Sequence, residues 1–292
     1  MSDQKVWFGT EDYMTWVPAP LVGGTRGRQR SRETGTLLNG NGYSIQTPMG
    51  AQHLSLSWNP RNMEQGADLL QSFFDGTYGS GPYYYWDPMT TWNVLPPFMA
   101  APFHNISGYG SVPNPQPMAP GLRGTDAQWF YGVDTITTVA PAGNLPIKVA
   151  NYGATAARTE PIWRFPVPPG YRFFLAIGGT STGGVVKLNG NNVALSAPNT
   201  FVPQNNTNNY VNGQAWANVQ LNTNGGGISI RWMLSTLMPI STGSVIPSPE
   251  RGWIPGRGHG PLMLESDPSI TDYMAVLGGR QGISANFIEV NP

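Results

Sequence analysis

Residues 72–88 read SFFDGTYGSGPYYYWDP, and the chain continues from residue 92 as WNVLPPFMAAP. The stretch predicts a helix that ends at Asp75, because the glycine that follows can adopt the left-handed conformation that closes a helix. Glycine and proline at positions 79–82 predict a turn. The aromatic run Tyr83–Trp86 then predicts a strand, and the prolines beyond it predict an extended exit. One short segment therefore predicts helix, turn, strand and exit in succession.

The residues before this segment predict an antiparallel sheet with one helix packed across it. A first strand and turn are expected within residues 5–17, and Asn39–Gly42 is a strong hairpin signal. Residues 52–58 alternate polar and apolar side chains, as a half-buried strand does. Asn62 and Gln65 have the spacing of a capping box, which predicts the start of the helix. The apolar stripe of that helix consists of Met63, Ala67, Leu69, Leu70, Phe73 and Phe74.

From residue 129 onward, short apolar runs are separated by turns rich in glycine and asparagine. Seven short strands with no helix between them predict an antiparallel β-sandwich of the jelly-roll or galactose-binding type. The fold class expected for the whole chain is therefore mainly β, with an N-terminal α+β domain and a β-sandwich. The seven predicted strands are Thr135–Val139, Ile147–Asn151, Ile162–Phe165, Tyr171–Ile177, Val185–Leu188, Ala215–Leu221 and Ile228–Leu234.

Two segments rich in proline and glycine, 96–128 and 241–261, flank this run of strands. The first is expected to be an extended arm or a linker. Residues 284–290 alternate polar and apolar side chains, so they need a sheet to join. We therefore expect residues 1–128 to form the first domain with its proline-rich arm, residues 129–240 to form the sandwich, and residues 241–292 to return and complete the first domain.

The composition indicates a chain with few charges and no thiol chemistry. Charged residues make up 11% of the 292 residues, against about 25% in an ordinary soluble domain. Sixteen basic residues balance sixteen acidic ones. The surface is either solvated by uncharged polar side chains or packed inside an assembly, and the abundant aromatic residues favour the second explanation. The absence of cysteine excludes disulfides, thiolate metal sites and cysteine nucleophiles.

No constellation of catalytic or metal-binding residues is recognisable. The three histidines, His53, His104 and His259, lie in unrelated segments. A glycosidase generally needs two carboxylates around the scissile bond, whereas Glu160 is the one acid between residues 135 and 249. We therefore expect no enzyme activity, no cofactor and no bound metal. Neither a signal peptide nor a membrane-spanning segment is predicted, because no apolar run is long enough.

Two sets of residues are candidates for contact with a partner. Arg26, Arg28, Arg30 and Arg32 alternate along the chain, so a single strand would present all four guanidinium groups on one face, toward DNA in a channel. The other interpretation, which we favour, is a solvated loop whose arginines pair with nearby acids. The aromatic rings of the second half could stack on a sugar, but core packing is expected for most of them. They are Trp163, Tyr171, Tyr210, Trp216 and Trp232, and Tyr210, in a polar loop, is the ring expected to be exposed.

The order of helix, turn, aromatic strand, AspPro and AsnValLeuPro resembles the N-terminal region of one family. The family is that of the minor tail or distal tail proteins of long-tailed, siphovirus-type bacteriophages that infect actinobacteria. The resemblance covers about the first third of the chain and returns near the C-terminus. It is carried further by Val6–Gly9, Trp16–Pro20, Leu54–Trp58 and Asn286–Val290.

The resemblance implies a structural virion protein, made in the host cytoplasm and located at the tail tip. It implies a homo-oligomeric ring, a trimer or a hexamer, around the DNA channel, in contact with the tube, tape measure and tip proteins. The sandwich would face outward, toward other tip proteins or a cell-wall glycan of the host, and no membrane partner is implied. The alternative is a free-standing carbohydrate-binding module, which would be a monomer.

Overall fold

The structure is a computed structural model that divides into two compact units, residues 1–87 with 259–292 and residues 88–258. It describes residues 4–21, 26–28, 32–36, 42–46, 52–58, 66–89, 93–95, 135–139, 147–153, 159–195, 198–201, 210–211, 214–223, 226–241, 258, 261–273 and 280–290. In this part of the chain the fold is mainly β with one α-helix, as the sequence predicts. No helix among the described residues is long and apolar enough to cross a membrane.

The described residues of the first unit form seven strands and a helix before residue 88, and three strands after residue 258. They are β1 (Lys5–Thr10), β2 (Met14–Pro18), β3 (Arg26–Arg28), β4 (Arg32–Thr36), β5 (Gly42–Gln46), β6 (Gln52–Trp58), α1 (Ala67–Phe74) and β7 (Tyr83–Trp86), then β18 (Leu262–Leu264), β19 (Ser269–Tyr273) and β20 (Arg280–Glu289).

The strands of the second unit are all antiparallel to their neighbours. They are β8 (Thr135–Val139), β9 (Ile147–Tyr152), β10 (Thr159–Val167), β11 (Tyr171–Ser181), β12 (Val185–Leu188), β13 (Asn191–Asn192), β14 (Pro198–Phe201), β15 (Tyr210–Val211), β16 (Gln214–Asn222) and β17 (Ile228–Pro239).

The first unit is built on an eight-stranded antiparallel sheet. Its strands follow the order β2-β1-β7-β18-β20-β6-β3, and β19 pairs with β20 beside this path. Strands β2 and β6 lie near opposite ends of this order, yet the Trp58 indole at the end of β6 donates to the carbonyl of Pro18 at the end of β2 at 2.9 Å. The sheet is therefore curled. On β6, buried Leu54, Leu56 and Trp58 alternate with less buried polar residues, as the sequence pattern predicts.

One face of this sheet and the helix α1 enclose the core of the first unit. Leu70 and Phe73 of α1 are fully buried, and burial of each contributes about 1.5–3 kcal/mol. The Phe8 ring stacks on Tyr83 at 5.7 Å between centroids and meets Phe73 edge to face at 5.5 Å. The Tyr83 hydroxyl also donates to the carbonyl of Phe73 at 3.0 Å, so the aromatic strand is bonded to the end of the helix.

The described ends of α1 agree with the sequence prediction at one end and differ at the other. Gly76 has a φ of 77°, the left-handed conformation predicted at the close of the helix. The helix begins at Ala67, and its N-cap is Gly66, which offers no side-chain hydrogen bond. The predicted N-cap at Asn62 was therefore wrong, because glycine at position 66 is a poor interior helix residue and a tolerated cap. Asn62 and Gln65 themselves lie outside the described residues.

Strands β4 and β5 form a two-stranded sheet of their own. Their register runs from Arg32 opposite Gln46 to Thr36 opposite Gly42, so the chain reverses between residues 36 and 42, as the AsnGly repeat predicts. Strands β3 and β6, which flank this hairpin in sequence, pair with each other, with Arg28 opposite Gln52. The β4–β5 hairpin is thus inserted between two neighbouring strands of the first sheet.

The C-terminal strands join the first sheet. Strand β20 pairs with β6 from Ile283 opposite Trp58 to Ile288 opposite His53, and Leu262 of β18 lies opposite Tyr83 of β7. The two compact units divide at residues 87/88 and 258/259, whereas the sequence placed the divisions at 128 and 241. The reason is a short segment, residues 93–95, that is buried and bonded within the second unit.

This segment, which we call the neck, joins distant parts of the second unit. The Val94 amide donates to the carbonyl of Ser235 on β17 at 2.9 Å, and the Gly258 amide donates to the carbonyl of Leu95 at 3.1 Å. The buried Asn93 Oδ1 accepts from the amides of Leu95 and Ser235 at 3.2 and 3.3 Å. The AsnValLeu sequence therefore belongs to the second unit and not to a solvated linker.

The second unit contains two five-stranded sheets. One has the order β14-β11-β17-β9-β8, and the other has the order β10-β16-β12-β13 with β15 beside β16. All seven predicted strands are present, several of them longer than predicted. Three short strands, β13, β14 and β15, were not predicted. Strand β13 consists of two asparagines, β14 begins with proline, and β15 has only two residues within a tract rich in asparagine.

Candidate functional site

His53 and Glu265 form an ion-pair contact on the less buried face of the first sheet. His53 Nδ1 lies 3.0 Å from Glu265 Oε2. No group of three or more His, Cys, Asp or Glu residues that could hold a metal is found in the part of the chain that the structure describes. His104 and His259 lie outside that part, and of Glu160 only the backbone in β10 is described. Of the three histidines, the structure therefore describes His53 alone, and His53 belongs to no described cluster of metal-binding residues.

The His53 pair belongs to a row of cross-strand hydrogen bonds between β6, β20 and the turn after β18. Ser55 Oγ donates to Asn286 Oδ1 at 2.6 Å, and the hydroxyls of Ser57 and Ser284 lie 2.9 Å apart. Apart from the His53–Glu265 pair, this row consists of small hydroxyl and amide groups. Such pairs stabilise a sheet by about 0.2–1 kcal/mol each.

The structure does not place the four candidate arginines on one strand. Arg26 and Arg28 lie on β3, Arg32 begins β4 in a different sheet, and Arg30 lies outside the described residues. Arg26 also pairs in register with Leu54, a core residue. The single-strand arrangement of a channel-facing stripe was therefore wrong, because Arg26 and Arg28 lie on a strand that pairs with β6, whereas Arg32 lies on a strand that pairs with β5 in another sheet.

The aromatic residues of the second unit do not provide an exposed stacking platform where they are described. Trp163 is 4% exposed and Trp216 is fully buried, which confirms core packing for these two rings. Tyr171 is half-buried. Tyr210 lies on β15 opposite Ala215, not in an irregular loop, and its side chain is outside the described residues, as is that of Trp232.

The sheet β10–β16–β12 presents a polar face opposite its buried one. On the central strand β16, buried Ala217, Val219 and Leu221 alternate with half-buried Asn218, Gln220 and Asn222. A cation lies beside this row on each flanking strand. Arg164 on β10 is in register with Asn218, and Lys187 on β12 is in register with Gln220. We call Arg164, Lys187, Asn218, Gln220 and Asn222 the amide face.

Two interactions hold the amide face in place. The Arg164 guanidinium lies 3.8 Å from the centroid of the buried Trp216 ring, a cation–π contact that fixes one of the two cations. The turn residue Asn189 accepts a hydrogen bond from the Asn218 amide at 2.6 Å and donates from Nδ2 to the Trp216 carbonyl at 3.1 Å. The amide face is therefore a preformed surface.

Lys187 and Gln220 are the members of the amide face with no described side-chain partner. Neither side chain makes a hydrogen bond or an ion pair with any described residue. The one carboxylate of this sheet, Glu160, lies in register with Leu221 on the buried row and not with a member of the amide face. The Lys187 ammonium and the Gln220 amide therefore lie side by side without a described acid in contact with either.

The formal neutrality of the chain conceals opposite charges on the two units. The first unit contains seven Lys and Arg residues against twelve Asp and Glu residues, a net charge of −5. The second unit contains nine against four, a net charge of +5. The two units therefore carry net charges of equal size and opposite sign.

The sequence reasoning missed the amide face, although two signals were present. The run Ala217–Asn222 has an amide at every second position, and the acids are concentrated outside residues 135–249. Alternation alone indicates only a half-buried strand, because the cations on β10 and β12 approach β16 through pairings that cross long stretches of sequence.

Comparison with protein-family models, with curated proteins and with solved structures found no match to this chain.

Proposed function

We propose that the protein is a structural component of a bacteriophage tail tip, which forms a closed ring around the DNA channel and displays its second unit outward. The proposal rests on the resemblance of the segment around Tyr83–Trp86 to distal tail proteins. One structural observation carries it further, namely the β4–β5 hairpin, which pairs with no other described strand.

The β4–β5 hairpin indicates a neighbour. A two-stranded hairpin alone is at best marginally stable in water and needs further strands or a packing surface. Thr34 and Thr36 of β4 are exposed in the isolated chain, and among the described strands β4 and β5 pair only with each other. A second copy of the chain would supply the missing surface, and repetition of a head-to-tail contact around an axis closes a ring.

The acidic character of the first unit fits a channel through which DNA moves. A cationic wall would release counterions and retain the polyanion. A unit with twelve acids against seven bases repels DNA overall and lets it pass. In this proposal the arginines of β3 and β4 pair with acids of the same or a neighbouring copy, in agreement with the interpretation favoured from the sequence.

The test is the assembly state of the full chain and of a variant without the hairpin. Light scattering and electron microscopy of the purified protein should show rings of three or six copies. In the variant, the dipeptide Asn-Gly replaces residues 29–51, which is a compatible hairpin turn because Arg28 and Gln52 are directly opposite. This variant should keep the melting temperature of the monomer unit and lose the ring.

The outcome that overturns the proposal is a monomer of 31.6 kDa that stays monomeric when the other tail proteins are added. If rings still form without the hairpin, the ring proposal stands, but the β4–β5 hairpin does not contribute to the interface between copies.

A further inference from the structure

We propose that the amide face binds an anionic polysaccharide. The inference rests on the proposed function in so far as it names the class of surface glycan that the outward unit contacts. It starts from the charge of the second unit, whose nine basic residues against four acidic ones give it an affinity for polyanions that the whole chain lacks.

The arrangement of the amide face fits a polymer that carries both hydroxyls and anionic groups. Asn218, Gln220 and Asn222 recur at every second residue of a strand, so their amides repeat about every 6.8 Å. The Gln220 amide, at the centre of this row, offers donors and an acceptor, which suits neutral hydroxyl groups. Lys187, on the flanking strand β12, supplies a charge-assisted donor for carboxylate, sulfate or phosphate groups.

The same face does not fit a nucleic acid. Proteins that bind single strands combine a basic groove with exposed aromatic rings on which the bases stack. The aromatic ring on this face, Trp216, is fully buried beneath Arg164 and cannot accept a base. Sequence-tolerant stacking is therefore unavailable at the amide face, whereas hydrogen bonding to sugar hydroxyls is available.

The experiment measures binding of the full chain to matched polymers by calorimetry at two salt concentrations. Dextran and dextran sulfate of equal length differ only in charge, polyphosphate carries charge without sugar, and an oligothymidine represents single-stranded DNA. Dextran sulfate should bind more tightly than polyphosphate and oligothymidine, and neutral dextran should bind least. Affinity for dextran sulfate should fall as the salt concentration rises.

Two variants locate the site, and a third is the matched control. Lys187→Glu should weaken dextran sulfate binding by about tenfold or more, because a charge-assisted hydrogen bond is replaced by repulsion. Gln220→Ala should weaken dextran sulfate binding by about threefold or more and leave polyphosphate binding unchanged. Lys148→Glu makes the same change of charge on β9 of the other sheet and should change affinity by less than about threefold.

Several results overturn the inference. They are no binding of any probe, equal loss in Lys187→Glu and Lys148→Glu, or tighter binding of oligothymidine than of dextran sulfate. Thermal melting of each variant separates loss of binding from loss of fold. Ring formation is measured independently by electron microscopy. If rings form but no polysaccharide binds, the proposed function stands and only this inference is wrong. If polysaccharide binds but no rings form, the ring proposal is wrong and the amide face is still a glycan-binding site.

Discussion

The turn residue Asn189 extends a hydrogen-bond ladder with its own side chain. It has a φ of 50°, which asparagine tolerates better than most residues. Its backbone amide donates to the Asn218 carbonyl at 2.9 Å, and its side chain bonds to the amide of Asn218 and the carbonyl of Trp216. One residue thus supplies three hydrogen bonds to the edge of β16 that faces it.

Replacement of Asn189 should therefore be costly although the residue lies in a turn. We expect Asn189→Ala to reduce the free energy of unfolding of the second unit by about 2–3 kcal/mol, through two lost hydrogen bonds and an unfavourable φ. Asn189→Asp should cost less, because the acceptor for the Asn218 amide remains. Asn191→Ala, at an exposed residue that begins β13, is the control and should change stability by less than about 0.5 kcal/mol. Equal losses in urea denaturation of the position 189 and 191 variants would contradict this account.

A second residue, Tyr83, couples stability to alkaline pH. Burial raises the pKa of the Tyr83 phenol above its ordinary value of about 10. The native state therefore keeps this proton in a pH range where the unfolded chain has released it. The contribution of Tyr83 to stability is complete below about pH 10 and is lost as the pH rises toward the native pKa.

The variant Tyr83→Phe should lack this pH dependence of stability. At pH 8 it should be less stable by about 1 kcal/mol, because the hydrogen bond to the Phe73 carbonyl is lost. Above pH 10 the wild-type free energy of unfolding should fall more steeply than that of the variant. Tyr13→Phe, at a residue that is 41% exposed, is the control and should keep the steeper wild-type slope. Parallel slopes for Tyr83→Phe and the wild type would exclude this role of the phenol.

At the scale of elements, the neck depends on a close approach of two backbones. A Cβ atom added to Gly258 would overlap the carbonyl group of Val94, so any side chain there must push the two segments apart. Gly76 differs, because its φ is 77° but nothing lies within 4 Å of the position of an added Cβ atom. One glycine is required for space and the other for backbone conformation.

We expect the two substitutions by alanine to differ in size and in the unit affected. Gly258→Ala should destabilise the second unit by about 3 kcal/mol, through displacement of the neck. Gly76→Ala should destabilise the first unit by about 1 kcal/mol, the usual cost of a left-handed conformation for alanine. Hydrogen exchange resolved by segment should show loss of protection around Ser235 in the first variant alone. Retained protection at that strand would show that the neck tolerates the displacement.

The elements that the sequence predicted share one property, namely that their signals are local. The alternation on β6 and β20 and the AsnGly repeat of the β4–β5 hairpin lie within a few residues, and these elements were confirmed. The neck was assigned to the first domain, because Ser235, the β17 residue that bonds to Asn93, lies 142 residues away in sequence. The amide face was missed for the same reason, since strands distant in sequence assemble it.

At the scale of the whole molecule, the second unit should be separable if the neck is kept. A fragment of residues 88–258 contains every described hydrogen bond of the neck, whereas a fragment of residues 129–240 lacks both Asn93 and Gly258. The longer fragment should fold cooperatively and bind a cation exchanger at neutral pH. The shorter fragment should be less stable by about 2–4 kcal/mol, because the buried Ser235 amide loses its acceptor. Equal melting temperatures for the two fragments would show that the neck does not stabilise the second unit.

The antiparallel pairing of β7 with β18 has a consequence for how such a protein can evolve. Because Tyr83 lies opposite Leu262, the chain leaves the first sheet at residue 87 and returns on the adjacent strand. The whole second unit thus occupies the position of a hairpin turn. Recombination at these two points can exchange or delete it without a change in the register of the first sheet. Variation in the second unit can then accumulate while the strand pairings of the first sheet are preserved.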